Sequence, residues 1–345
     1  MSNFITPTVR LLHPNYVEPG VIWQQTQQTG AFETLAGGNP LVRLSNTSRM
    51  VYAKTGNITT RVHVGQSATN SLPSVDVRMG MVGTATYLQQ VRQEFDAHDA
   101  DMSSEWGVGI LDVFRRGTGQ AHAQSLRNLL LHGAMPQNGE GLLNAPNATT
   151  IVLPTDSSGN QTIESYDPNE MFTFLLGVIA DIKNRTMQAG IGRRIVLLAP
   201  QRVITQLTIR SIVQVTQWQR AGAGTNVVGG AMKEVLSMGD DEFELQADDT
   251  LMGAGQNGSD AVIVTMPEIT APEASNYNTN EFAKIAPGLD ACNMQFVNSP
   301  APIEVISPIE SGRTDFLTWM RVTSGWPIRQ EALTIISMPT ASSVI

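Results

Sequence analysis

The 345-residue sequence predicts an α+β fold. Three observations carry this. Strand-type alternation occupies the stretch from Pro40 to about Phe95 and resumes beyond Pro300. A long apolar stripe at helical spacing runs from Ser103 to Gly133. Between residues ~165 and ~300, amphipathic helical patterns alternate with short, wholly apolar runs, the mark of an α/β unit.

Residues 1–37 read as an arm. Pro7, Pro14, Pro19 and Gly20 punctuate it, its apolar residues are scattered, and the spacing allows a short helix over Val21 to Leu35. Such a segment has little core of its own and must pack on something else. Residues 38–95 read as a β-hairpin. VYAK and ITTRVHV flank Thr55-Gly56-Asn57, a turn signal, and Val75, Val77, Met79 and Met81 alternate with Asp76, Arg78 and Gly80. GQSATNSLPS, Gly65 to Ser74, forms a tip between strands. A hairpin with polar residues on both faces is marginal alone, so it is expected to project and gain stability from a partner.

The helix of residues 103–133 is expected to be capped by Ser103 or Ser104, with Glu105 in its first turn. Trp106, Ile110, Phe114, Gly117 and Ala121 share one side, and Leu126, Leu129 and Leu130 continue the stripe to Gly133, placed to end it. At 1.5 Å per residue such a helix is about 45 Å long. Its glycines each cost up to about 1 kcal/mol relative to alanine. Either they permit close packing, or the helix breaks near Gly117-Thr118-Gly119. Asp96, Asp99 and Asp101 precede it, where they favour its N-terminus. GEGLLNAP, Gly139 to Pro146, follows as a glycine-rich turn.

Asp167-Pro168-Asn169-Glu170 predicts a helix start: Asp167 as cap, Pro168 at the first helical position, Glu170 completing a capping box. The helix is expected to bury Met171, Phe174, Leu175, Val178, Ile179 and Ile182 and to stop at Gly190. IVLLA, Ile195 to Ala199, reads as a buried strand ended by Pro200, which opens a helix with Val203, Ile204 and Leu207 on one face. AVIVTM, Ala261 to Met266, is a second buried strand. FLTWMRVTSGW and IRQEALTIISM predict two long strands near the C-terminus.

Charged residues make up only 15% of the chain, against roughly 25% in typical proteins. Gln, Asn, Ser and Thr replace them, as in WQQTQQTG, Trp23 to Gly30. Such a surface suits either a neutral polar monomer or a chain covered by neighbours, since interface cores are depleted of charge. The net charge of −9 argues against broad phosphate binding. MSNFITPTVR lacks the pattern of a signal peptide, and the most apolar stretch, Met171 to Ala180, is too short to span a bilayer. A soluble chain made in the cytoplasm, with no membrane partner, is expected. The lone Cys292 reads as a small buried apolar side chain.

No catalytic constellation emerges. GxxxxGK[ST], HExxH, CxxC and GxSxG are absent, and His13, His63, His98, His122 and His132 form no ligand pair. AGAGTNVVGG, Ala221 to Gly230, carries Val227 where a dinucleotide loop requires its third glycine, and reads as a flexible loop. Asp240, Asp241, Glu242, Asp248 and Asp249 read as solvated acidic turns. No enzyme, cofactor or metal is expected.

The order of parts (arm, projecting hairpin, long helix, GEGLLNAP turn, α/β unit, terminal strands) resembles the HK97-like major capsid proteins of tailed bacteriophages. GEGLLNAP after LLLHG and the helix–strand–helix run RRIVLLAPQRVITQL, Arg193 to Leu207, carry the resemblance, which covers nearly the whole chain. It implies an N-terminal arm at 1–37, an extended loop at 38–95, a peripheral domain at 96–164 with a spine helix at 103–133, an inserted axial domain at 165–300, and peripheral strands at 301–345. It further implies assembly through hexamers and pentamers into an icosahedral virion shell, built in a bacterial host's cytoplasm around double-stranded DNA bound without sequence specificity. Separate scaffold, portal and decoration proteins are the implied partners. Lys54, Arg61 and Arg78 of the loop are the candidate inter-subunit contacts. Some family members cross-link through Lys and Asn; Lys54 is the only lysine of the loop, and no cross-link is predicted. The alternatives are an encapsulin-like nanocompartment around a protein cargo, or a soluble α/β enzyme.

Overall fold

The computed structural model describes residues 49–60, 75–105, 109–186, 194–209, 211–212, 226–267, 294–295, 302–309, 312–327 and 330–341. The strands are β1 (Met50–Thr60), β2 (Val75–Asp96), β3 (Thr149–Val152), β4 (Arg194–Ala199), β5 (Ser211–Ile212), β6 (Asn226–Val227), β7 (Glu242–Ala247), β8 (Asp260–Thr265), β9 (Met294–Gln295), β10 (Ile303–Pro308), β11 (Arg313–Thr323), β12 (Trp326–Pro327) and β13 (Leu333–Met338). The α-helices are α1 (Ala97–Glu105), α2 (Ile110–Leu131), α3 (Pro168–Thr186), α4 (Gln201–Ile209) and α5 (Val228–Ser237).

Two sheets organise the fold. The first has the order β1-β2-β11-β10, each neighbouring pair antiparallel. The 22-residue β2 belongs to two ladders in succession. Its first half pairs with β1 alone, from Val75 opposite Thr60 to Ala85 opposite Met50. Its second half pairs with β11, from Thr86 opposite Thr323 to Asp96 opposite Arg313. The result is a two-stranded ribbon that grows out of a broader sheet. The hairpin is therefore real, but its turn is not at Thr55-Gly56-Asn57. Those residues lie mid-ladder, opposite Gly80, Met79 and Arg78. The turn signal loses because continuous pairing satisfies the backbone groups that β1 turns toward β2, whereas a turn there would interrupt the ladder. Arg61 and the segment Gly65 to Ser74 lie outside the described residues.

The second sheet has the order β3-β13-β8-β4-β7. Pairing is mixed: β13 runs parallel to β3, β4 parallel to β7, and β8 antiparallel to both β13 and β4. Both faces are covered. Ile195, Leu197, Val262, Val264 and Ile336 meet α3, α4 and α5 in one core. Val196, Leu198, Ala261, Ile263 and Ile335 meet the C-terminal end of α2, Leu142 and β11 in another. That double burial explains why IVLLA and AVIVT are continuously apolar rather than alternating. This sheet draws β3 from before residue 165 and β13 from after residue 300. The second C-terminal strand is shorter than its pattern suggested, because Gln330–Ala332 forms a 3₁₀ turn before β13.

The long helix also differs from its expectation. It starts at Ile110, after an extended Gly109 (φ −68, ψ 119) whose carbonyl accepts from the Asp112 and Val113 N–H groups. At 22 residues it is about 33 Å long. Ser103, Ser104 and Glu105 instead end the separate helix α1, where the two hydroxyls bond back to the carbonyls of Ala100 and Asp101. Trp106 lies outside the described residues. Asp96 and Asp99 cap α1, each carboxylate accepting from the other's N–H. The extended Gly109 separates the two helices.

The helix α2 runs unbroken through Gly117-Thr118-Gly119 to a left-handed Gly133 (φ 74). Close packing is not what these glycines supply within the subunit, since a Cβ on Gly119 would meet nothing within 4 Å and one on Gly117 only Gln93 Nε2 at 3.8 Å. Gly119→Ala is therefore expected to raise subunit stability by up to about 1 kcal/mol in denaturant unfolding, through helix propensity alone. A loss of stability would mean that the helix surface there is already occupied.

Asp167 caps α3 as read, its Oδ1 accepting from the Asn169 and Glu170 N–H groups at 2.8 and 3.1 Å, with Pro168 at the first position. The capping box is closed by a different residue. Asp156 Oδ2 accepts the Asp167 N–H at 3.2 Å, while Glu170 Oε2 accepts from Ser157 N–H. Met171, Leu175, Val178, Ile179 and Ile182 are buried, and Phe174 packs partly buried beside them. The helix ends at Thr186; Gly190 is outside the described residues. Of AGAGTNVVGG, the last five residues are the strand β6 and the start of α5, not a loop.

Candidate assembly surfaces

The turn after α2 is a joint. Gly133 (φ 74), Gly139 (φ 75) and Gly141 (φ 87) let the chain fold back on the helix end. Asn144 Nδ2 donates to the carbonyls of His132 and Glu140 at 3.0 and 3.1 Å, satisfying groups a helix terminus leaves open. The Glu140 carboxylate gathers three donors: the Tyr87 hydroxyl at 2.6 Å, the Ser324 hydroxyl at 2.8 Å and the Met135 N–H at 3.2 Å. Burial, then the hydrogen bond and charge of Glu140, push the Tyr87 phenol up to about 12. Gly141 N–H donates to the Gly325 carbonyl, and Gly325 N–H to that of Leu129. GEGLLNAP thus ties the end of α2 to β2 and to the segment after β11. It fixes β2 at Tyr87, close to where the two-stranded ribbon departs. It brings together no nucleophile–base pair.

The ribbon carries several exposed apolar side chains, among them the most exposed one of the described residues, Met79. Met79 is 88% and Met81 69% exposed; Met50 and Tyr52 are exposed beside them. Register places these four on one face: Met79 lies opposite Gly56, Met81 opposite Lys54, Gly83 opposite Tyr52 and Ala85 opposite Met50. Tyr52 lies over Gly83, where a Cβ would sit 2.8 Å from its ring. An apolar face on a free ribbon marks an interaction surface. The polar count of this region hid it; the alternation of Met79 and Met81 was the available signal.

Lys54 and Arg78 fall on opposite strands of this same ladder, at the registers of Met81 and Asn57. Arg78 is exposed, and alternation puts it on the face away from Met79. Several cations are matched within the chain: Arg92 with Asp315, Arg115 with Glu304, Lys183 with Asp241, Arg194 with Glu244, Arg202 with Asp260. Arg127 Nε lies 3.6 Å from the buried Asp248. The acidic turns are likewise structural rather than merely solvated. Asp241 and Asp248 are buried, Asp248 caps Thr250 N–H, and Asp249 Oδ1 accepts from Gln201 N–H at the start of α4. Among the described residues no group of three His, Cys, Asp or Glu is placed to hold a metal, and no helix is long and apolar enough to cross a membrane.

No protein-family model matches the chain, and no curated protein matches its sequence. Solved structures do match, end to end. The capsid of Myoviridae phage XM1 superposes with a TM-score of 0.64 at 10% identity, over 98% of this chain and 100% of that one. The capsid of a native GTA particle gives 0.58 at 11% identity, over 96% of each chain. The Mycobacterium phage Ogopogo structure gives 0.52 at 15% identity, over 97% and 100%. The protein has the fold of these phage capsid structures.

Proposed function

We propose that this chain is the major capsid protein of a tailed bacteriophage, many copies forming an icosahedral shell through hexamers and pentamers around double-stranded DNA. The observation that carries the reading is the likeness to capsid structures, which for XM1 extends over 98% of this chain and 100% of that one. The apolar ribbon face supports it. Residues 38–95 act as the extended loop, laying Met79 and Met81 against a neighbouring subunit, with Lys54, Arg61 and, from the opposite face, Arg78 meeting acidic groups of neighbouring subunits. Residues 96–164 and 301–345 form the peripheral domain and 165–300 the axial domain, with β3 and β13 crossing over to complete the axial sheet. Internal ion pairing of so many cations leaves little net attraction for phosphate, consistent with DNA enclosed without sequence-specific contacts. Scaffold, portal and decoration proteins are separate chains, and assembly takes place in the host cytoplasm.

The test is electron microscopy of the purified protein. Shells, capsomers or sheets are expected; a small monodisperse oligomer under all assembly conditions overturns the reading, and shells filled with an enzyme cargo rather than nucleic acid assign a nanocompartment. Met79→Gln with Met81→Gln is expected to lower shell yield at least tenfold while the subunit's circular dichroism and unfolding midpoint stay unchanged, because two apolar anchors worth about 1 kcal/mol or more each are lost from every copy of the contact. Deleting Gly65 to Ser74 is expected to act in the same direction. Normal shells from both variants defeat the loop assignment.

A further inference from the structure

The face that α2 turns to the four-stranded sheet is polar at its middle. Thr118, His122 and Ser125 follow one another at helical spacing, and Thr118 and His122 are buried. Opposite them stand Gln89 of β2 and Thr318 of β11. The Gln89 amide donates to the Ser125 hydroxyl, and its Oε1 lies 3.4 Å from His122 Nδ1. His122 Nε2 lies 3.1 Å from Thr318 Oγ1. Since Gln89 Oε1 can only accept, Nδ1 carries the proton; Nε2 faces the Thr318 hydroxyl, which donates to it when the ring is neutral.

Among the described residues, neither side chain that bonds the ring carries a negative charge. On α2 the nearest positions one turn away are Thr118, Gly119, Ser125 and Leu126, none ionisable. The sheet side chains on the same face are Tyr87, Val91 and Gln93 from β2 and Phe316 and Met320 from β11. Tyr87 is committed to Glu140. From β10 comes Glu304, the cross-strand partner of Thr318, whose carboxylate is held by Arg115 of α2 at 3.1 Å.

We propose that His122 is an acid-sensitive latch that holds α2 to the sheet when neutral and releases it when protonated. Protonation turns Nε2 from acceptor to donor, so the Thr318 hydroxyl must swing to the Val91 carbonyl, 3.5 Å away, and a positive charge is left in the seam without a carboxylate. Burial already holds the imidazole below its ordinary value of 6.5. The sign follows: a group with a depressed folded-state value contributes stability above its unfolded value, and that contribution is lost as pH falls below it. Tyr87 and the joint at Glu140 lie next along the sheet, so loosening α2 also frees the base of the ribbon.

Amide hydrogen exchange of the full chain tests this, comparing pH of about 7.5 and about 5.0 after correction for intrinsic rates. Amides of residues 118–126 are expected to exchange several-fold faster in acid while those of α3 do not, and His122→Gln is expected to abolish the difference. An equal acid effect in His122→Gln, or none in the wild type, overturns the proposal. Should that variant fail to fold, the wild-type imidazole is followed by NMR: titration of His122 at or above the ordinary value overturns the latch, and a depressed value with simultaneous shifts in α2 supports it. None of these readouts depends on shell formation.

Discussion

Gly141→Ala is expected to cost at least about 3 kcal/mol in denaturant unfolding, or to abolish soluble expression. Gly141 has φ 87 and ψ 151, a conformation essentially reserved for glycine. A Cβ there would also sit 2.4 Å from the His132 carbonyl carbon and 2.5 Å from Gly133 N, both backbone atoms that cannot swing aside. Gly159→Ala is the control. Gly159 shares the positive φ, at 84, but a Cβ on it meets nothing within 4 Å, so only backbone strain of roughly 1–2 kcal/mol is expected. The difference between the two variants measures the collision that closes the joint after α2. Equal losses would show that the close approach of Gly133 and Gly141 relaxes freely.

Arg202→Met is the second large effect, expected to cost about 3 kcal/mol. Asp260, at the start of β8, is 0% exposed, and its carboxylate is engaged by both Nε and Nη2 of Arg202 from α4. Its other contact is Gly253 N–H at 3.1 Å. Removing the guanidinium leaves a buried charge with one amide, for which losses of 3–5 kcal/mol are usual; Arg202 is itself 33% exposed, which places this pair at the lower end. Adding Asp260→Asn to Arg202→Met is expected to recover most of the loss, because the amide carries no charge to desolvate. A single-variant loss below about 1 kcal/mol would mean that water reaches Asp260.

The legible parts of the chain share a physical character. Asp167 capping α3, Pro168 at its first turn, Pro200 opening α4 and Gly133 closing α2 each act on backbone groups within four residues, so the signal and its effect sit in the same short window. The continuous apolar runs at Ile195 and Ala261 were equally direct, since a strand buried on both faces has no polar side to display. The failures have the opposite character. Thr55-Gly56-Asn57 has the composition of a turn, yet pairing with a strand some twenty residues away overrides it. Ser103 offers a capping hydroxyl, but the extended Gly109 divides the helical pattern, and each helix obeys its own contacts.

The candidate surface follows the same division. The paired strands were readable, and Lys54 and Arg78 fall on their ladder. The apolar face of Met50, Tyr52, Met79 and Met81 was not, because it exists only once register sets two strands side by side.

From residue order alone come the α+β character, the helix-capping residues, the buried strands and the GEGLLNAP turn as a feature set apart: all are properties of local dihedral preference and local hydrophobic period. Tertiary structure alone decides what that turn does, which strands share a sheet and where charge is safe. Glu140 meets Tyr87 across 53 residues and Ser324 across 184, and His122 meets Thr318 across 196. Such partners are chosen by the packing of whole elements, whose balance of burial against desolvation has no counterpart in any short stretch of the chain.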